Sequence, residues 1–159
     1  MKRAALLLLI SSLILSGCGQ KKPVNNQFEN EINAFCDRIV EIDSSINKIS
    51  NKTGDEAGLE VAKEELLNCL SSLKDEFKKF ANMDFPQEYD YLEQMADEAG
   101  DYMTEAVNTY DSMYGTDNGY NVNLEEYADE NYARAYKRVR IITALLRGET
   151  PDEEGLIIQ

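Results

Sequence analysis

The sequence predicts an all-α fold, an antiparallel up-down-up-down four-helix bundle over residues 28–148. Four segments place apolar residues at alternating steps of three and four, the breaks between them are short and built of turn residues, and no segment alternates as a half-buried strand does. A repeat near 3.5 holds one apolar seam in line over several turns and asks for partners at a shallow, left-handed crossing. Short connections force each helix to run antiparallel to the one before it.

The first helix is expected over about 28–51, with Phe28, Ile32, Phe35, Ile39, Ile42, Ile46 and Ile49 as its seam. Asn51-Lys52-Thr53-Gly54-Asp55 then offers a glycine stop, with Thr53 and Glu56, or Asp55, to cap the next start. The second helix, about 56–82, carries Leu59, Ala62, Leu66, Leu70, Leu73, Phe77 and Phe80. Pro86 opens the third, about 86–114, at a first helical position where its missing N–H costs nothing. That helix carries Leu92, Ala96, Ala99, Met103, Ala106, Tyr110 and Met113. A turn cluster, Gly115 to Gly119, leads to the fourth, about 124–147, where Asn123 and Glu126 form a capping box. Its seam is Leu124, Ala128, Tyr132, Ala135, Val139, Ile142 and Leu146, and Gly148 and Pro151 stop it. Residues 149–159 read as an acidic tail.

The segment before the bundle is of another kind. Met1-Lys2-Arg3 is a short basic start, and Ala4 to Leu15 is apolar except for Ser11 and Ser12. Twelve residues are too few to cross a hydrocarbon core about 30 Å thick, so residues 1–17 read as a signal peptide. Leu15-Ser16-Gly17-Cys18 resembles the lipobox of bacterial lipoproteins: an aliphatic residue, two small residues, then cysteine. The resemblance covers residues 1–18 only. It implies diacylglycerol transfer to the Cys18 sulfur, cleavage before Cys18 and acylation of the new amino group with a fatty acid such as palmitate. Residues 18–27 would then be a lipidated tether, reaching roughly 30 Å when extended. The implied location is the extracytoplasmic face of a cell membrane, with the lipid bilayer as a partner through acylated Cys18 and Lys21 and Lys22 near the headgroups.

Charge excludes one class of partner. The chain carries 16 basic and 30 acidic residues, a formal net charge of −14. Loss of Lys2 and Arg3 with the signal makes it −16. Nucleic-acid binding, which relies on basic groups neutralising phosphates, is excluded, and cationic partners or plain solubility are favoured.

The chain has no histidine. Di-iron bundle sites, axial haem ligation and histidine-assisted nucleophiles are therefore not available. Asp117, Gly119, Asn121, Asn123 and Glu126 fall short of a calcium loop, because Val122 stands where the turn needs glycine and Ala128 where a bidentate glutamate belongs. No catalytic, cofactor or metal residue is expected, and the chain is not expected to be an enzyme.

Two further groups are candidates. Cys36 and Cys69 lie 17 and 16 residues from a turn centred near Thr53, which would set them at one height and permit a disulfide; the alternative is a pair of buried reduced thiols. Tyr110, Tyr114, Tyr120 and Tyr127 could form a binding patch at the third connection, among Asp111, Asp117, Glu125 and Glu126, or a bundle end whose hydroxyls reach water. Glu126, Glu130, Arg134 and Arg138 form an acid-before-base i, i+4 ladder. The expected function is a non-enzymatic helical binding or interaction module, with capture of cationic proteins or peptides by an acidic envelope-stress or defence lipoprotein as the alternative.

Overall fold

The computed structural model describes residues 26–50, 56–114 and 121–151. Four α-helices run through them: α1 Asn26–Ser50, α2 Glu56–Ala81, α3 Glu93–Tyr114 and α4 Val122–Leu146. They form the expected four-helix bundle, with α3 packed closely against both α2 and α4, and α1 against α2. Among the described residues no helix is long and apolar enough to cross a membrane. The signal segment, Cys18 and the tether, the turn around Thr53, the turn containing Tyr120 and the tail from 152 onward lie outside the described residues.

The apolar repeat translates into burial almost position by position. All seven seam residues expected for the third helix are buried, six of them in α3 and Leu92 just before it, and six of the seven in α1, Ile42 being half-buried. Small residues, Ala96, Ala99 and Ala106 on α3 with Ala128 and Ala135 on α4, let these two helices approach closely. Larger rings fill the space between α1 and α2. Phe35 stacks on Phe80 at 4.4 Å and meets Phe77 edge-on at 5.4 Å.

Helix ends differ from expectation at two places. Pro86 stands before a short 3-10 helix, Gln87–Leu92, rather than inside the third α-helix; its ψ of 147° is extended, and its carbonyl accepts from the Tyr89 N–H at 2.6 Å. At the start of α4 the cap is Asn121, not Asn123. The Asn121 side-chain oxygen accepts from the N–H groups of Asn123 and Leu124, at 3.0 and 3.4 Å. Asn123 is thereby inside the helix, and Leu124, expected in the seam, is exposed. The end of α4 follows the glycine rule. Gly148 takes φ of 74°, donating to Leu145 O while Glu149 donates to Ala144 O, both at 2.9 Å, which is the paired closure of a Schellman motif.

Orientation follows from topology. Phe28, in the first turn of α1, packs on Phe85 and Tyr89 of the second connection, at 5.1 and 6.1 Å. The chain entry and that connection therefore share one end. The last turn of α3 and the first turn of α4 lie toward the other, about 37 Å away along the 25 residues of α1.

Candidate functional site

The far end of the α3–α4 hairpin gathers three of the four candidate tyrosines. Tyr110 is buried and donates its hydroxyl to Asp129 of α4. Its ring stacks on Tyr114 at 6.1 Å, nearly parallel. Tyr114 donates to Glu125 Oε1 at 3.4 Å, and Tyr127 of α4 donates back to Glu105 Oε1 of α3 at 3.3 Å. Each hydroxyl thus joins one helix to a carboxylate on the other. Burial and then the hydrogen bond to Asp129 push the Tyr110 phenol well above its ordinary value, so it stays a donor at any physiological pH. Tyr110 and Tyr114 are largely consumed by structure; Tyr127 presents its ring, being 45% exposed, one turn from exposed Leu124.

The acid is concentrated along one stretch that runs from the second connection through α3 into α4. Between Lys79 and Arg134 the chain has fourteen acidic residues and no lysine or arginine. That stretch by itself accounts for a charge equal to the whole chain's −14. Toward the near end, basic residues from adjacent helices approach α3. Arg138 binds Glu98 at 2.8 Å, Arg134 and Arg138 lie 5.6 and 5.4 Å from the centre of the Tyr102 ring, and Lys78 shares a groove with Asp97 and Asp101. The ladder expected along α4 is therefore realised only between Glu130 and Arg134; Arg138 turns to α3 instead. Toward the far end Glu105, Asp111 and Glu126 are exposed among tyrosines.

The two cysteines are free thiols, and helix register accounts for it. Arg38 pairs with Glu76 and Phe35 with Phe77, which puts the midpoint of the first hairpin near residue 56 or 57 rather than 53. Cys69 consequently lines a groove with Glu41, Ile42 and Ser45, whereas Cys36 lies six to nine residues earlier on α1, about 9–14 Å along the axis. A disulfide spans Cα atoms less than about 7 Å apart. Burial, with Asp37 adding, pushes the Cys36 thiol up to about 11, and burial also raises Cys69, so neither is an activated nucleophile.

Two buried carboxylates escape the seam pattern. Glu76 of α2 is closed by Arg38 of α1 and by Lys79 at 2.6 Å. Burial raises its carboxyl, but the hydrogen bonds from Lys79 and Arg38 outweigh that and leave it below its ordinary value. Asp43 of α1, 3% exposed, has no such cation among the described residues. It accepts from Tyr132 at 2.8 Å and from Tyr136 at 2.8 and 2.7 Å. Asp43 and Glu76 each adjoin a seam residue, Ile42 and Phe77; the i, i+4 tyrosine pair on α4 was the one sequence signal that could have led to Asp43. Among the described residues no group of three or more acidic or thiol side chains could hold a metal ion.

The chain matches no family model, and no curated protein or solved structure is similar to it.

Proposed function

We propose that this chain is a lipid-anchored, extracytoplasmic, non-enzymatic binding module that meets a protein or peptide partner at the far end of the α3–α4 hairpin. The observation that carries the proposal is the pairing there, one turn apart on α4, of exposed Leu124 and Tyr127 with carboxylates that have no lysine or arginine among them in sequence. An apolar edge inside a one-sign field favours a partner with its own basic and apolar groups. The topology supports the same end. Acyl chains on Cys18 would hold the N-terminal side of α1 near the bilayer, and the tyrosine end would point away from it.

The concentration of charge between residues 80 and 133 supports a second proposal, an acidic envelope-stress or defence lipoprotein that captures cationic proteins or peptides by field alone. Pull-down from the native envelope, across a salt series and with a Leu124→Ala/Tyr127→Ala variant, separates the two. A contact-specific partner survives about 0.3 M salt and is lost from the variant; capture by field fades steeply with salt and ignores the variant. Recovery of one partner, equally by both proteins and at all salt concentrations, would contradict both.

A further inference from the structure

Helix α1 is joined to its two neighbours by different means. Against α2 it uses rings, Phe35 on Phe77 and Phe80, and the apolar seam. Against α4 the backbones scarcely approach, and the hydrogen bonds that cross run from Tyr132 and Tyr136 to Asp43. The two tyrosine rings stack at 4.9 Å, and Tyr136 rests on Phe77 of α2 at 5.4 Å, so the hydroxyls are held in place by packing. An apolar pair would close this seam without drying out a carboxylate. A buried acid here makes the closure depend on a proton.

We infer that Asp43, Tyr132 and Tyr136 form an acid-strengthened latch: protonation of Asp43 tightens α1 on α4, and ionisation loosens it. With Asp43 ionised, both hydroxyls donate to it, Tyr136 bridging both oxygens, and a full charge stays buried. With Asp43 protonated, its own O–H donates into the hydroxyl pair, whose oxygens lie 3.4 Å apart, and the same bonds close with no charge.

The surroundings leave Asp43 as the group that titrates. From α4, burial holds both phenols far above their ordinary range, so they keep their protons; Lys137 and Arg140 follow Tyr136 on that helix. From α2, Cys69 faces Ile42 and Ser45 with its thiol raised, and Glu76 beside Phe77 is already paired with Arg38 and Lys79. None of these charges shifts Asp43; burial raises its carboxyl, and the hydrogen bonds from Tyr136 and Tyr132 offset only part of that. With the folded value above the unfolded one of about 3.9, the latch is fully stabilising below that pH. Its contribution is lost as pH rises through the folded value.

Hydrogen exchange of the full chain in detergent, at pH 4 and pH 8 and corrected for intrinsic rates, tests this. The α1 amides should open more readily, relative to α3, at pH 8 than at pH 4, by a factor that one proton limits to about tenfold per pH unit. Asp43→Asn should remove the difference while keeping α1 protected at both pH values. Tyr136→Phe, which removes one donor and keeps the ring, should open α1 chiefly at pH 8. A wild-type α1 whose relative protection is the same at both pH values, or an Asp43→Asn protein with undiminished pH dependence, would overturn the latch. If Asp43→Asn does not fold, Tyr136→Phe with equal opening at both pH values would do the same.

Discussion

Gly100 sits in the interior of α3 where α2 passes closest, and replacing it with alanine sets two effects against each other. A Cβ at position 100 would lie 2.9 Å from Ala81 Cβ and 3.4 Å from the Phe77 carbonyl oxygen. Ala81 has no side-chain rotation with which to yield, so the helices must separate by roughly 0.5–1 Å to restore ordinary contact. Their neighbours Phe77, Ala96, Ala99 and Met103 are fully buried, and separation loosens all of them. Such overpacking costs about 1–3 kcal/mol. The gain in helix propensity on leaving glycine is about 1 kcal/mol. The clash wins: Gly100→Ala should destabilise the bundle by about 1 kcal/mol, a fall in Tm of about 3–5 °C at this size. Ala81→Gly opens the same space, so Gly100→Ala introduced on that background should stabilise by about 1 kcal/mol. Urea melts followed by far-UV circular dichroism on the four proteins of the cycle give a coupling of about 2 kcal/mol, beyond the 0.5 kcal/mol within which independent sites add. A Gly100→Ala protein more stable than wild type, or two changes that simply add, would refute the close-crossing argument.

Two other perturbations probe the frame. Glu76 is held below its ordinary value in the folded state, so its contribution is present above the unfolded pKa of about 4.3 and lost as pH falls through the folded value. Glu76→Gln should therefore be less stable than wild type at pH 7 and converge with it in acid melts; a gap that widens below pH 4 would contradict the assignment. Ile39, 1% exposed, is a core knob of α1, and Ile39→Asp should cost more than about 3 kcal/mol by burying a charge without a partner, read as loss of the cooperative helical melt.

The periodic part of the structure was legible because burial repeats along a helix. Phe28 to Ile49, Ile42 apart, and Leu92 to Met113 went inside as the 3.5 repeat requires. What depends on register between helices was not. The midpoint of the first hairpin lies three or four residues beyond Thr53, and each residue of that shift displaces a cross-helix pair by two positions, which separates Cys36 from Cys69. The same gap hid Asp43, whose donors lie 89 and 93 residues away on α4, and Glu76, one of whose two cations comes from α1. At the start of α4, Asn121 and Asn123 both carry good cap chemistry. The helix takes the earlier one, which leaves Leu124 facing water beside Tyr127. The tyrosine end could be placed from sequence, but its division into Tyr110 and Tyr114, consumed in hydrogen bonds to α4, and Tyr127, presenting its ring, needed the geometry.

Anchorage through Cys18 underlies the proposed function, and one fractionation tests it. Wild-type protein expressed in a bacterial envelope should partition into the detergent phase and carry a mass increment for its acyl chains on the peptide beginning at residue 18. Cys18→Ala should leave an unlipidated precursor that moves out of the detergent phase, while the bundle, which contains no part of that segment, keeps its helical melt. A Cys18→Ala protein that partitions with membranes as the wild type does, with no acyl group on either, would contradict lipid anchoring.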